Sequence, residues 1–438
     1  MVKKISKEII VGISSLTIFG AAMSTMNTAT FASQKVTTVT FWTPWTGTDT
    51  IPIDDMVKKF NHTHSNIQVQ ILNSQSDPQK YEIALASGSP PDLILSAWND
   101  IGSWAPDGAI QSLEPYIHQS HYNLSNFIPV GLQQTQSNGI QYALPYALQI
   151  ESVLLYNKKD FKSAGIKSAP VTTGQLFQDA KQLTKRSNGK ITQVGFIPDY
   201  PWLDVVFWPV IYGASFYNNT NGKVTPNDPR AIQAINYEAG FYKFYGGETS
   251  VNAFRSGLGK AGTPQDPLIT GQLAMMAGWD YNYPTQRGNS PSDPIGVAPF
   301  PYPTGHPQLK NSGIISSDAI FIPAKAQHKS QAWTFLQWLE QPNNQMAFAT
   351  DGKNYSIPSV KSAVRALKKN KKMATMYPFY DAALSPNLKT FPNSVYINQY
   401  LQDLTDETQN VLNGQESAQT AMNKVLNEVQ PLANKAKK

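Results

Sequence analysis

The 438-residue chain contains no cysteine. That excludes disulfides, thiolate chemistry and cysteine-ligated metal. It also leaves no N-terminal cysteine to carry a lipid. Charge is sparse, with Asp, Glu, Lys and Arg making up 15% of residues. No Lys/Arg stripe is interleaved with aromatics, so nucleic acid is not an expected partner. Histidine is equally thin, at six residues. The pairs His62/His64 and His118/His121 lack further ligands at zinc spacing and read as exposed polar groups. No metal or cofactor is expected. Neither G-x-S-x-G nor H-E-x-x-H occurs. Gly257, Gly259 and Gly262 fit G-x-G-x-x-G, but no strand precedes them and Thr263-Pro264 follows, so a surface loop is the better reading.

What the chain does have is a hydrophobic fraction of 41%, with 9 tryptophans and 20 tyrosines. Asn, Gln, Ser and Thr supply the surface that charge does not. The length exceeds one compact core, so two domains are expected. Lys3, Lys4 and Lys7 precede an apolar stretch over residues 9–23, and Thr30-Phe31-Ala32 fits cleavage after Ala32. Residues 1–32 therefore read as a secretory signal peptide, with an uncleaved membrane anchor as the rival reading. No later run is long and apolar enough to span a bilayer. Removing that segment lowers the formal net charge from +6 to +4, which is mild and scattered. The one cluster, Lys368-Lys369 with Lys371-Lys372, reads as a solvated helix face.

Along the chain, residues 36–42 alternate as a strand. Ile53, Met56, Val57 and Phe60 recur at helical spacing, and Ile67, Val69 and Ile71 alternate again. A helix over 81–86 and the apolar run Leu93-Ile94-Leu95 follow, the latter as expected of a strand buried on both faces. Strand–helix–strand–helix–strand argues a mostly parallel sheet, with ligands in crevices beyond the carboxyl ends of its strands. Trp45 and Trp98-Asn99-Asp100 fall at such ends. A second α/β unit follows. It has a helix capped by Thr173 with Leu176, Phe177, Ala180 and Leu183 inward, and strands at 194–197, 273–277 and 295–299. Residues 198–208 form a loop dense in aromatics, and residues 246–270, rich in Gly and Pro, read as surface loops. Residues 319–322 form a strand in a segment crossing back. A helix spans 330–340, and an amphipathic helix over 417–429 packs on a lobe.

The hub is the stretch 144–161. Leu144-Pro145-Tyr146 reads as the end of one unit. Val153-Leu154-Leu155-Tyr156 is a strand, Asn157 breaks it, and residues 158–161 open a helix. Gln149 and Glu151 lie between the two units.

Several motifs carry a family resemblance when taken in order. They are Leu85-Ala86-Ser87-Gly88 with Pro91-Asp92-Leu93-Ile94, Gly108-Ala109-Ile110, and Leu144-Pro145-Tyr146 with Leu155-Tyr156-Asn157-Lys158. Gly271-Gln272-Leu273-Ala274-Met275 with Gly278-Trp279, residues 295–301, and Phe321-Ile322-Pro323 followed by Ala332-Trp333 complete the set. Together they resemble the extracellular sugar-binding proteins of ABC importers, the maltose-binding-protein-like family, over nearly all of residues 36–430.

The resemblance implies an α/β, two-lobe periplasmic-binding-protein fold, each lobe a mixed sheet flanked by helices, joined by a multi-strand hinge. It places one lobe at 36–148 plus 315–360 and the other at 152–311 plus 361–438. Crossovers fall near 149–151, 312–314 and 356–362. The implied role is a non-enzymatic, extracytoplasmic receptor, acting as a monomer. It holds a carbohydrate between the lobes by hinge closure and hands it to the transmembrane subunits of the importer. Many relatives in single-membrane bacteria carry a lipidated cysteine, and this chain departs from them.

A sugar needs aromatic platforms for its C–H faces and amides or carboxylates for its hydroxyls. The resemblance puts a stacking tryptophan at Trp279 and hydroxyl contacts at Asn99 and Asp100, against core packing and helix capping as the ordinary alternatives. Trp45, Trp98 and Trp202 have suitable loop positions, whereas Trp208 reads as core. Gln149 and Glu151 lie on the crossover, with the inward-pointing member left open. Asp204, Asp280, Tyr281 and Tyr355 complete the candidates. Two other readings stand beside this one. The same fold can bind a glycerophosphate, which needs Arg or backbone N–H donors, or a polyamine, which needs carboxylates. A secreted glycosidase would need paired carboxylates.

Overall fold

In the computed structural model, the described residues are 36–436 apart from 74–77, 202, 219–222, 281, 291, 293, 352–355 and 392. The expected signal peptide at 1–32 lies outside them.

The first sheet starts with β1 (Thr37–Thr43), α1 (Ile51–Thr63), β2 (Ile67–Asn73), α2 (Pro78–Ala86) and β3 (Leu93–Ala97). β1 pairs in parallel with β2 and β3. The α1 apolar positions Ile53, Met56, Val57 and Phe60 are all buried, as their spacing demands. The first four residues of β3 are buried. Asp92, just before β3, fastens the layer. Its carboxylate accepts from the Thr40 N–H at 2.9 Å and from the His328 N–H at 2.8 Å.

The chain then enters β4 (Ala143–Glu151), which passes through Ser152 straight into β5 (Val153–Asn157). β4 belongs to the first sheet and β5 to the second. Leu144-Pro145-Tyr146 is therefore not the end of a unit but the opening of the strand that leaves it. Asn157 breaks β5 by capping α3 (Lys158–Ser163), its side-chain oxygen accepting from the Lys159 and Asp160 N–H groups. The next helix, α4 (Thr173–Leu183), is capped by Thr172 rather than Thr173. Gln175 reciprocates from the third helical position, which fixes the cap one residue earlier.

β6 (Lys185–Ser187), β7 (Lys190–Phe196), the long helix α5 (Pro229–Tyr245), β8 (Leu273–Gly278) and β9 (Ile295–Pro299) follow. The second sheet has the order β9-β5-β8-β7-β6, with only the β8–β7 pair parallel. The segment 246–270 is not all loop, since it holds helices at Glu248–Arg255 and Pro267–Thr270. The Gly259 region is a tight chain turn. A Cβ there would sit 1.8 Å from the Gln265 carbonyl oxygen, so close backbone approach explains the glycine without a phosphate.

β10 (Gly313–Phe321) returns to the first sheet. One of its edges runs along β4. The other meets β3 through residues 318–321 and β11 (Leu388–Lys389) through residues 313–314. A third segment passes the same place, where the Leu148 N–H donates to the Ile357 carbonyl at 3.1 Å. The helices α6 (Lys329–Leu339) and α7 (Pro342–Asp351) cover the first sheet's core. α8 (Ile397–Leu412) and α9 (Ala418–Lys435) join the core built on the second sheet.

Candidate functional site

The crossing strands form a floor whose side chains can be placed from register. Residues two apart on a strand share a face, and directly opposed residues share it too. On β10 that puts Ile314, Ser316 and Asp318 together. Opposite them on β4 stand Glu151 and Gln149. The register then slips between Ser317 and Asp318, so Asp318 faces Tyr146. Ala147 is the extra residue of this bulge and adopts φ 51°. The slip brings Tyr146 to the Asp318 side.

Trp45 follows from that placement. It lies two residues past β1 and stacks on Tyr146 (centroids 6.1 Å, interplanar 28°) and on Phe348 (6.0 Å, 19°). Its Nε1–H donates to Asp318 Oδ2 at 3.1 Å. The Asn73 amide also donates to the Trp45 carbonyl. The indole is thus fixed by two rings and one edge hydrogen bond, which makes a preset platform.

Asp318, Ser316 and Gln149 are part-exposed. No described residue donates to Asp318 Oδ1, and the Ser316 hydroxyl and Gln149 amide have no side-chain partner among the described residues. Desolvation pushes the Asp318 carboxyl up to about 7, against the lowering effect of the Trp45 hydrogen bond. From Asp318 to Ile314 the strip spans about 14 Å. It presents an aromatic face at one end and unmet hydrogen-bonding groups along its length.

At the far end Glu151 is fully enclosed, with 0% exposure. Its Oε1 accepts from the Asp204 N–H at 3.4 Å, and Oε2 has no partner among the described residues. Desolvation, then the neighbouring Asp204 charge, raises its carboxyl well above the ordinary range. Desolvation raises the part-exposed Asp204 as well. Gln149, not Glu151, is therefore the crossover residue open to the floor. Glu151 supports the loop that carries Asp204.

The other candidates are dispersed. Trp98 is one residue beyond Ala97, which is paired with Asp318, and it packs on the core of the second sheet. The Asn99 amide donates to Asn398 Oδ1 at 3.1 Å, and the Asp100 carboxylate accepts from the Ser96 hydroxyl, so both side chains have protein partners. Trp279 is 8% exposed, and its N–H donates to Asn282 Oδ1 at 2.7 Å. Asp280 is 2% exposed and accepts the Ile150 N–H at 3.1 Å. It ties the end of β8 to the crossing strand. Trp208 is core, as expected, with Nε1–H donating to the Pro198 carbonyl at 2.8 Å. Trp202, Tyr281 and Tyr355 lie outside the described residues. Ser316 and Asp318 were not among the candidates read from the sequence. The signal available was the polar run Ser316-Ser317-Asp318 inside an otherwise apolar crossing strand.

No group of three or more His, Asp or Glu side chains suited to a metal occurs among the described residues. None of their helices is long and apolar enough to cross a membrane. The paired sheets, the three connecting segments and the polar floor define a two-lobe solute-binding protein. The chain belongs to the bacterial extracellular solute-binding protein family, which it matches over residues 46–346. It is 27% identical over 208 residues to the maltodextrin-binding protein of Bacillus subtilis, covering 44% of this chain and 45% of that protein. It is 23% identical over 310 residues to the sn-glycerol-3-phosphate-binding periplasmic protein of Brucella abortus, covering 66% of each. The solved structure of the sugar-binding protein from Xanthomonas citri superposes with a TM-score of 0.74 at 19% identity, over 91% of this chain and 98% of that one.

Proposed function

We propose that this protein is a non-enzymatic, extracytoplasmic receptor that captures a mono- to oligosaccharide between its lobes and presents it to the transmembrane subunits of an ABC importer. The observation that carries the reading is the floor strip. It sets a fixed indole, Trp45, beside the second Asp318 oxygen, the Ser316 hydroxyl and the Gln149 amide, which no described side chain engages. Aromatic face plus open polar edge is what a sugar ring requires. The lobes would be residues 36–148 with 315–360, and 152–311 with 361–438. Export would follow cleavage near Ala32, leaving a monomer without a lipidated cysteine.

The similarity to a glycerol-3-phosphate-binding protein favours a second reading, the same fold holding a glycerophosphate. Against it, no lysine or arginine pairs with Asp318, Glu151 or Asp204 among the described residues. A glycosidase would need two carboxyls that reach substrate; Glu151 is enclosed, and the floor strip itself carries Asp318 as its one open carboxyl among the described residues.

The test is a thermal-shift screen of ligand-free protein against mono- to oligosaccharides, glycerol 3-phosphate and spermidine. A sugar is expected to raise Tm and to be recovered intact. A shift with only the phosphate or only the amine would sink the sugar reading, and cleaved sugar would make the protein an enzyme.

A further inference from the structure

Asp318 is the acidic group on the floor, faced across the bulge by Tyr146. One oxygen fixes the Trp45 indole edge, and the other faces no protein donor among the described residues. A ring stacked on Trp45 would present its equatorial edge to that second oxygen. Ser316 stands two residues along on the same face, with Gln149 opposite it. Among the described residues no Arg or Lys pairs with Asp318 or with the next acids along the floor, Glu151 and Asp204. An approaching phosphate dianion would find no Arg or Lys fork there among the described residues, and its charge would oppose ionisation of Asp318.

We propose that Asp318 is a specificity-determining ligand contact, which accepts a hydrogen bond from a hydroxyl of an uncharged sugar stacked on Trp45 and turns away phosphate esters. The inference rests on the sugar-receptor reading and assigns its selectivity to one side chain.

Calorimetric titration of the full chain at pH 7 with mannobiose, maltotriose and glycerol 3-phosphate tests it, alongside Asp318→Asn and Asp318→Ala. The wild type should take a sugar and not the phosphate. Asp318→Asn keeps an acceptor for Trp45 but replaces the second, open oxygen by an NH2 donor, so sugar affinity should fall roughly tenfold or more. Asp318→Ala should fall at least as far, and the melting curve of each variant reports whether it folds. Unchanged sugar affinity in Asp318→Asn would overturn this role and leave the receptor reading intact. Wild-type preference for the phosphate would overturn both.

Discussion

Two aspartates near the crossing strands have the same shifted acidity and opposite surroundings. Asp280 and Asp318 are both raised to about 7 by desolvation. Asp280 is closed in, and its carboxylate is satisfied by backbone N–H groups, Ile150 among them. Asp318 is part-exposed, with one oxygen on Trp45 and the other open. The first holds the second sheet to the crossing segments. The second has capacity left for a ligand. A perturbed carboxyl therefore does not declare its role here, and the inventory of its partners does.

The largest expected effect concerns pH and groups of the Asp280 kind. Asp280 titrates near 7 and Glu340 near 8 in the fold, each raised by burial from the model-compound values of 3.8 and 4.5. The folded state thus holds protons that the unfolded chain releases. This contribution is complete below about pH 4 and is lost as pH rises through 7 to 8. Each group contributes about 1.4 kcal/mol per pH unit across that window. Chemical denaturation should therefore show stability several kcal/mol higher at pH 5.5 than at 8.5, an order-of-magnitude expectation from the same linkage. Stability that rises with pH over this range would remove the basis of the comparison.

Next in size is Asp280→Ala at pH 6. It leaves the Ile150 N–H buried without its acceptor, which costs about 1–3 kcal/mol. Asp318→Ala, tested the same way, should cost less because no buried backbone donor depends on it. Equal losses in urea melts would dissolve the distinction. Trp45→Ala sharpens the other side. Sugar affinity measured by calorimetry should drop about tenfold to a hundredfold, because the stacking face is gone. Trp45→Phe should recover part of it. The smallest effect is expected from Glu340→Gln, whose carboxylate accepts from the Ser359 hydroxyl in a closed pocket. At pH 6 its stability should lie within about 1 kcal/mol of wild type, with the high-pH loss reduced.

Much of the fold was legible because its signals are local. The apolar run Leu93-Ile94-Leu95 and the spaced Ile53, Met56, Val57 and Phe60 identify buried elements without knowledge of their neighbours. Helix Glu248–Arg255 was hidden by the Gly- and Pro-rich segment around it, and Val251 is its one buried residue, too little for a visible period. Trp45 and Gln149 were accessible from loop and crossover position. Asp318 was not, because its surroundings, Tyr146 and Trp45 among them, depend on pairing between distant strands and on a one-residue slip at Ala147. Neither leaves a mark in local periodicity. Asp280 drew notice for its position after Gly278-Trp279, but nothing in the chain's order shows that the Ile150 N–H awaits its carboxylate.

The most direct test of the account is small-angle X-ray scattering of the full chain, alone and saturated with whichever of mannobiose or maltotriose binds more tightly. The receptor reading predicts that the second lobe closes over a sugar on this strip, so the radius of gyration should fall on sugar addition in the wild type and remain unchanged in Trp45→Ala at the same sugar concentration. A sugar that binds without any change in the radius, or an equal contraction in Trp45→Ala, would contradict it.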